Sequence, residues 1–196
     1  MTVRPARADE ADVVTELIAA AFVEIPPTAW LIPDDAVRRA VFGPYIRIFV
    51  DAGMAHGRID VAVDGDDQPV AAAVWWPNPV PEPEDYDKRL AASVGQEPLA
   101  RFAVFDEGMH QMHPTDPHEY LGFTATWPDR QDQGHGTRLL KHRHAELDAA
   151  GHSAYLAAAS EPARRLYLRL GYADHGEPMV LPDGPKMWPM WRAPAR

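Results

Sequence analysis

The richest chemistry in the chain lies in Thr126-Trp-Pro-Asp-Arg-Gln131-Asp-Gln-Gly134-His-Gly136-Thr-Arg-Leu-Leu140. Its pattern predicts a strand ending by Pro128, a turn, and a helix beginning near Gly136. Gly134 and Gly136 have no side chains to block an approaching phosphate. The first amides of a helix lack intrahelical partners and lie at the positive end of its dipole. Such a start is an anion cradle suited to a pyrophosphate. Other phosphate loops fit less well. The nucleoside-triphosphate loop ends Gly-Lys-Ser/Thr, whereas Gly136 is followed by Thr137-Arg138. The dinucleotide fingerprint needs a third glycine where Leu139 stands. Taken alone, the loop is explained equally well by a glycine turn that merely starts a helix.

Other polar and aromatic groups carry weaker signals. His110 and His113 are near neighbours, and His142 and His144 fall on different faces of a predicted helix, so no metal site is expected. Trp75, Trp76, Trp188 and Trp191 could line an apolar pocket, although strand tryptophans more often fill a core. Glu24 could bind a cationic amine or be a solvated loop charge.

These residues need a scaffold. Thr2 to Arg4 reads as a first strand, followed by a helix with Asp9 as a possible cap and Val13, Val14, Leu17, Ile18 and Ala21 as its buried stripe. Pro26, Pro27 and Pro33 predict a loop from Phe22 to Pro33. A second helix is expected from Asp34 towards Val50, interrupted or bent near Gly43-Pro44. Ile59 to Val63 and Pro69 to Trp76 read as strands joined by a turn at Asp64-Gly-Asp-Asp67. Helical material is expected within 85–112, a strand at 119–126, a helix at 136–150, a strand at 154–159 and a short helix at 162–170. Segments 172–177 and 187–191 would close the sheet. On the strand at 119–126, strict alternation would put His118, Tyr120, Gly122, Thr124 and Thr126 on one side and Glu119 on the other. The interleaving predicts an α/β (α+β) fold, a mixed central sheet flanked by helices in one domain spanning 1–196.

Composition narrows the function. The net charge of -10, from 19 basic and 29 acidic side chains, argues against nucleic-acid binding, which needs a basic footprint. No apolar run approaches the roughly 18 residues of a membrane span. The N-terminus shows no signal-peptide core, and there is no cysteine, so a cytoplasmic protein without disulfides or thiolate chemistry is expected.

Two signatures in order give a stronger indication. Gln131-x-x-Gly134-x-Gly136 resembles the Gln/Arg-x-x-Gly-x-Gly/Ala signature of the GNAT N-acetyltransferases. Downstream, Ala154-Tyr-Leu-Ala-Ala-Ala-Ser160-Glu-Pro-Ala-Arg-Arg-Leu-Tyr167-Leu-Arg-Leu-Gly171-Tyr172 resembles that family's second signature, a strand leading to a helix that ends Tyr-x-x-x-Gly-Phe/Tyr. His113 to Leu121, Val3 to Ala6 and Leu181 to Trp188 are similar to puromycin N-acetyltransferase-like members, and the likeness covers nearly the whole chain.

The resemblance implies an acetyl-CoA-dependent enzyme that needs no metal. Acyl-CoA would lie where the central strand splays from its neighbour. Pantetheine would pair with backbone at Thr124, Ala125 and Thr126, and Gln131, Asp132, Gln133, Gly134, His135, Gly136 and Thr137 would form the pyrophosphate loop. Tyr167 occupies the position of the family's general acid. A glutamate common on the strand after the coenzyme-binding helix is replaced by Ala157, and a common asparagine by Ala163. The base is then sought on the central strand, where His118 has a suitable intrinsic pKa. The implied acceptor is a small-molecule amine. A coenzyme-binding module with little catalysis and a protein or peptide N-acetyltransferase are the alternatives, and the protein could be a monomer or a homodimer.

Overall fold

A computed structural model describes residues 2–195. Strand β1 (Thr2–Pro5) leads through a short 3-10 turn into helix α1 (Ala11–Phe22), where Val14, Leu17 and Ile18 are fully buried. The expected cap, Asp9, does not hold this start. The buried Glu10 does, accepting the Arg7 amide at 2.7 Å and guanidinium N–H groups of Arg4 and Arg7 at 2.8 Å. The expected loop from Phe22 to Pro33 contains a helix, α2 (Pro26–Leu31). Its prolines occupy the first turn, where a missing N–H costs nothing and the fixed φ favours the helix. Helix α3 (Asp35–His56) starts as expected, the Asp34 side chain accepting from the Val37 amide at 2.8 Å, but continues through Pro44 to His56.

Strands β2 (Arg58–Val63) and β3 (Pro69–Pro77) are antiparallel. Asp64 fastens their turn by accepting the amides of Asp66 and Gln68. The expected 85–112 region divides into α4 (Tyr86–Val94) and α5 (Leu99–Met112) at Gly95, whose φ of 76° is left-handed. Then come β4 (Glu119–Thr126), α6 (His135–Ala150), β5 (Ala154–Ala158) and α7 (Glu161–Arg169). The chain closes with β6 (Ala173–Asp174), β7 (Met179–Val180) and β8 (Lys186–Arg192). The first of these is shorter than the expected 172–177, and β7, a small hairpin with β8, was not expected.

The sheet runs β1-β2-β3-β4-β5-β8-β6. Its β4–β5 pair is parallel and its other neighbours are antiparallel. One face packs against α1 and α3 through Ile18, Ile46, Val61, Val74 and Trp76. The other packs against α6 and α7 through Trp75, Leu121, Leu140, Leu156 and Tyr167. This is the mixed α/β sheet with helical layers that the sequence predicts. Arg143 of α6 ties its helix to the sheet, pairing with Glu119 at 3.2 Å and with Glu146 at 2.8 Å.

Candidate active site

The central feature begins where two parallel strands part. β4 and β5 pair at Glu119–Ala154, Tyr120–Tyr155 and Leu121–Leu156, and no further. On β4's other side, Trp75 faces Leu121 while Val74 faces Phe123, which leaves Gly122 as an extra, bulged residue. A bulge bends its strand and increases local twist, so β4 turns away from β5 at the point where their pairing stops. From Gly122 to Thr126 the β5-side edge of β4 has no strand partner among the described residues.

The bulge also corrects the expected alternation. Tyr120, Phe123 and Ala125 pack on the α1/α3 side. Leu121 lies on the other side, where Thr126 also approaches Gly136 of α6. The side-chain phase therefore reverses across Gly122, and Tyr120 does not share a face with Thr126. A Cβ at Gly122 would stand 2.1 Å from Cζ3 of the buried Trp76 ring. Gly122→Ala should therefore cost about 1–3 kcal/mol by overpacking, read as a lower denaturant midpoint. An unchanged midpoint would mean that Trp76 yields freely.

The splay opens a cleft of about 720 Å³ lined by Thr124, Ala125 and Thr126, by Gln131, Asp132, Gly134, His135, Gly136 and Thr137, and by Tyr167. The loop residues from the sequence thus gather around one cavity; Gln133 does not line it. Asp132 and Gly134 are left-handed, with φ of 60° and 78°. These reversals turn the chain abruptly into α6. The first α6 turn is bonded at Arg138, whose amide donates to the Gly134 carbonyl at 3.0 Å. Among the described residues, the amides of Gly134, Gly136 and Thr137 have no acceptor. Gln131 Nε2 donates to the Thr126 carbonyl at 3.4 Å, and Gln133 Oε1 meets His135 Nε2 at 3.2 Å.

Two observations fit a coenzyme A diphosphate and pantetheine here. A Cβ on Gly136 would meet only Thr126 Oγ1, at 3.6 Å, so the protein's own packing does not demand glycine at that position. Thr124 Oγ1 is buried beside the cleft with no hydrogen-bond partner among the described residues. Arg130, Arg165 and Arg169 add exposed cations to the cleft wall. They were not singled out in the sequence, although Arg165 and Arg169 stand one helical turn apart, the spacing of a shared face.

Tyr167 is 8% exposed and packs edge-on against Tyr172, with ring centroids 5.7 Å apart. Burial pushes its hydroxyl pKa up, so it remains a proton donor. Among the described residues the hydroxyl has no hydrogen-bond partner. Ser160 starts α7 and aims it, its Oγ accepting the Ala163 amide at 3.3 Å.

His118 is not brought to the cleft. It precedes β4 in a nest of rings formed by His113, Tyr155 and Trp191. Its Nδ1 lies 2.7 Å from the Asp116 carbonyl, which can only accept, so Nδ1 carries the proton. Its Nε2 then accepts from His113 Nε2 at 3.1 Å. Burial lowers the His118 pKa and takes His113 down to about 4. The ring's free lone pair is thus already engaged, and His118 serves the packing at the base of β4. Glu24 is committed as well, to Arg38 and Arg39. His144 bonds the Tyr172 hydroxyl at 3.0 Å, and no cluster of three metal-ligating side chains occurs among the described residues.

A second, more enclosed cavity of about 420 Å³ lies beyond the splay. Phe22, Phe42, Phe49, Trp76, Phe105 and Phe123 contribute to its walls. Phe22, Ile25, Gly122, Ala157 and Ala159 border both cavities, so the two meet at the splay. Ala157, where the resemblance implies a glutamate, leaves a methyl group at this junction. Of the four tryptophans, Trp75 is core and Trp76 is both core and pocket wall; Trp188 lies beside Arg164, and Trp191 stacks on His175.

A sheet split by a bulged strand, with a helix start facing the split, is the arrangement that the GNAT resemblance implies. Comparison with known proteins agrees. A sequence model described as an acetyltransferase (GNAT) domain matches residues 102–192. The solved structure of a histone acetyltransferase HPA2 and related acetyltransferase from Corynebacterium glutamicum is 31% identical, over 100% of this chain and 97% of that one, with a TM-score of 0.71. Arylalkylamine N-acetyltransferase 2 from Aedes aegypti shares the fold at 11% identity, TM-score 0.65, over 99% of each chain. The ribosomal-protein-S18-alanine N-acetyltransferase from Escherichia coli does so at 16% identity, TM-score 0.57, over 100% of this chain and 94% of that one. The chain belongs to the GNAT acetyltransferase family and is an N-acetyltransferase. The likeness to puromycin N-acetyltransferase-like members rests on the sequence motifs alone.

Proposed function

We propose that this enzyme moves an acetyl group from acetyl-CoA to the amine of a small molecule, by direct attack in a ternary complex. The observation that carries this reading is the junction of the two cavities at Gly122, Ala157 and Ala159. A cleft suited to an anion meets an aromatic pocket at the point where a thioester and an amine would have to meet.

The diphosphate would be held by the amides at the start of α6, with Arg130, Arg165 and Arg169 adding charge. Pantetheine would run along the unpaired edge of β4 from Gly122 to Thr126. The amine attacks as its free base, since an ammonium near pKa ~10.4 has no lone pair to offer. Charge developing on the carbonyl oxygen would be met by β4 backbone N–H groups left without a strand partner. Tyr167 would then donate its proton to the departing sulfur, and the proton shed by the attacking nitrogen would restore the Tyr167 hydroxyl by way of solvent in the cleft.

Fold relatives include enzymes named for arylalkylamines and for a ribosomal protein, so kinship alone leaves the acceptor open. The second cavity favours the small molecule: its aromatic walls reward an apolar body and offer few partners for a peptide backbone. A competition assay tests this. With acetyl-CoA and an equimolar mixture of arylalkylamines and short peptides with free N-termini, mass spectrometry should find the acetyl group on the amines. Acetylation confined to the peptides would replace this reading with a protein N-acetyltransferase. Acetyl-CoA binding without transfer to either would leave a binding module.

A further inference from the structure

The aromatic pocket contains one polar arrangement that acetyl transfer does not require. Asp106 of α5 lines it, half-buried, and its Oδ2 accepts a hydrogen bond from the Tyr86 hydroxyl at 2.9 Å. Tyr45, buried between Phe42, Phe49 and Phe102, completes this end of the wall.

Unlike other shielded carboxylates of the fold, Asp106 lacks a cation. Glu10 is held by Arg4 and Arg7, Asp60 by Arg58, Glu119 by Arg143 and Asp148 by Arg192. Asp106 pairs with no described arginine or lysine, and none lines the pocket. Burial pushes its pKa up, the cost of holding charge among aromatic rings, and the Tyr86 hydrogen bond opposes that rise. The pocket's other carboxylate, Glu82, is exposed, and so is His110. An uncompensated carboxylate in an apolar cavity is unfavourable until a cation reaches it.

Position decides which cation. From β4, Asp106 is reached through a succession of rings: Phe123 contacts Phe49 at 5.4 Å between centroids, and Phe49 contacts Tyr86 at 6.0 Å. Two ring contacts and the Tyr86 hydrogen bond thus separate the carboxylate from Phe123 on the splayed strand. An amine clamped on the carboxylate as ammonium would also have lost its nucleophilic lone pair. The group that meets Asp106 is then not the group that is acylated.

We propose that Asp106, oriented by Tyr86, determines acceptor specificity by pairing with a second cationic group, so that the acceptor has an apolar body with one amine offered at the splay and a distal cation on Asp106. This rests on the reading of the aromatic cavity as the acceptor site. Diamines, and amines bearing a distal guanidinium, belong to the class.

The test compares matched pairs: alkylamines and arylalkylamines against the same skeletons with a second, terminal amine. In the wild-type enzyme at least one diamine of matching length should exceed its monoamine in kcat/KM by about tenfold or more, chiefly through KM. Asp106→Asn should abolish that preference while leaving acetyl-CoA affinity near wild type. Calorimetry supplies a readout independent of turnover: the favoured diamine should bind wild-type protein saturated with coenzyme A and bind the Asp106→Asn variant about tenfold or more weakly. Monoamines used as well as every diamine, or a preference that survives in Asp106→Asn, would overturn the proposal while leaving the acyltransferase reading intact. Absence of transfer to any amine would instead defeat the parent reading.

Discussion

Tyr167→Phe should lower turnover by about 10²–10⁴-fold, the usual worth of a positioned general acid, while the protein folds and binds acetyl-CoA as before. The substitution keeps the ring that packs against Tyr172 and removes a hydroxyl with no hydrogen-bond partner among the described residues. No buried acceptor is orphaned, so the folded state loses little. Burial raises the hydroxyl pKa, so the group stays protonated at and above the unperturbed value of about 10. The wild-type enzyme should therefore show no loss of turnover from Tyr167 ionisation at neutral or mildly alkaline pH. Single-turnover rates, which exclude product release, are the measurement. A variant with wild-type chemistry would show that coenzyme A leaves unaided as thiolate, and Tyr167 would then be a packing residue.

The second large effect is expected at the phosphate loop. Gly136→Glu should reduce acetyl-CoA affinity about 100-fold or more, because it sets a like charge among amides that would otherwise hold the diphosphate, where charge-assisted hydrogen bonds are each worth ~1.5–3 kcal/mol. The same change should leave the fold as stable as before or more so. A Cβ at Gly136 meets only Thr126 Oγ1 at ordinary contact distance, and an acidic side chain suits the first turn of a helix. Gly134 would be a poorer probe, since its φ of 78° strains any replacement whether or not a ligand binds there. Calorimetric titration beside a thermal melt separates the two contributions. Undiminished affinity in a folded Gly136→Glu protein would remove the diphosphate from the start of α6.

What the sequence revealed and what it hid follow from the range of the forces involved. The loop at Gln131–Gly136, the strand before it and the helix after it were readable because glycine, proline and helix-start chemistry act locally. The prolines of α2 were misleading for the same reason: Pro26 and Pro27 look like breakers unless the helix is seen to begin on them. Gly122 carried a signal, since an isolated glycine in a strand suggests a bulge, yet only the β3 register shows which residues change face. His118 illustrates the consequence. Alternation along the strand placed it beside Thr124 and Thr126, whereas the bulge and the ring nest put it to structural use. The acceptor pocket was hardest to foresee. Its walls come from α1 to α5 and from β3, β4, β5 and β8, and no periodicity links Tyr86 to Asp106 before the helices pack.

The central claim is that acetyl transfer occurs at the β4–β5 splay, and amine-dependent release of coenzyme A tests it most directly. The chain has no cysteine, so a thiol reagent added to the reaction reports coenzyme A alone, with no background from the protein. The account predicts thiol release that requires both enzyme and amine, with one acetylated amine formed per thiol and a rate sharply reduced in Tyr167→Phe and Gly136→Glu. Thiol release at the same rate with and without any amine, or none at all from protein that binds acetyl-CoA, would contradict it.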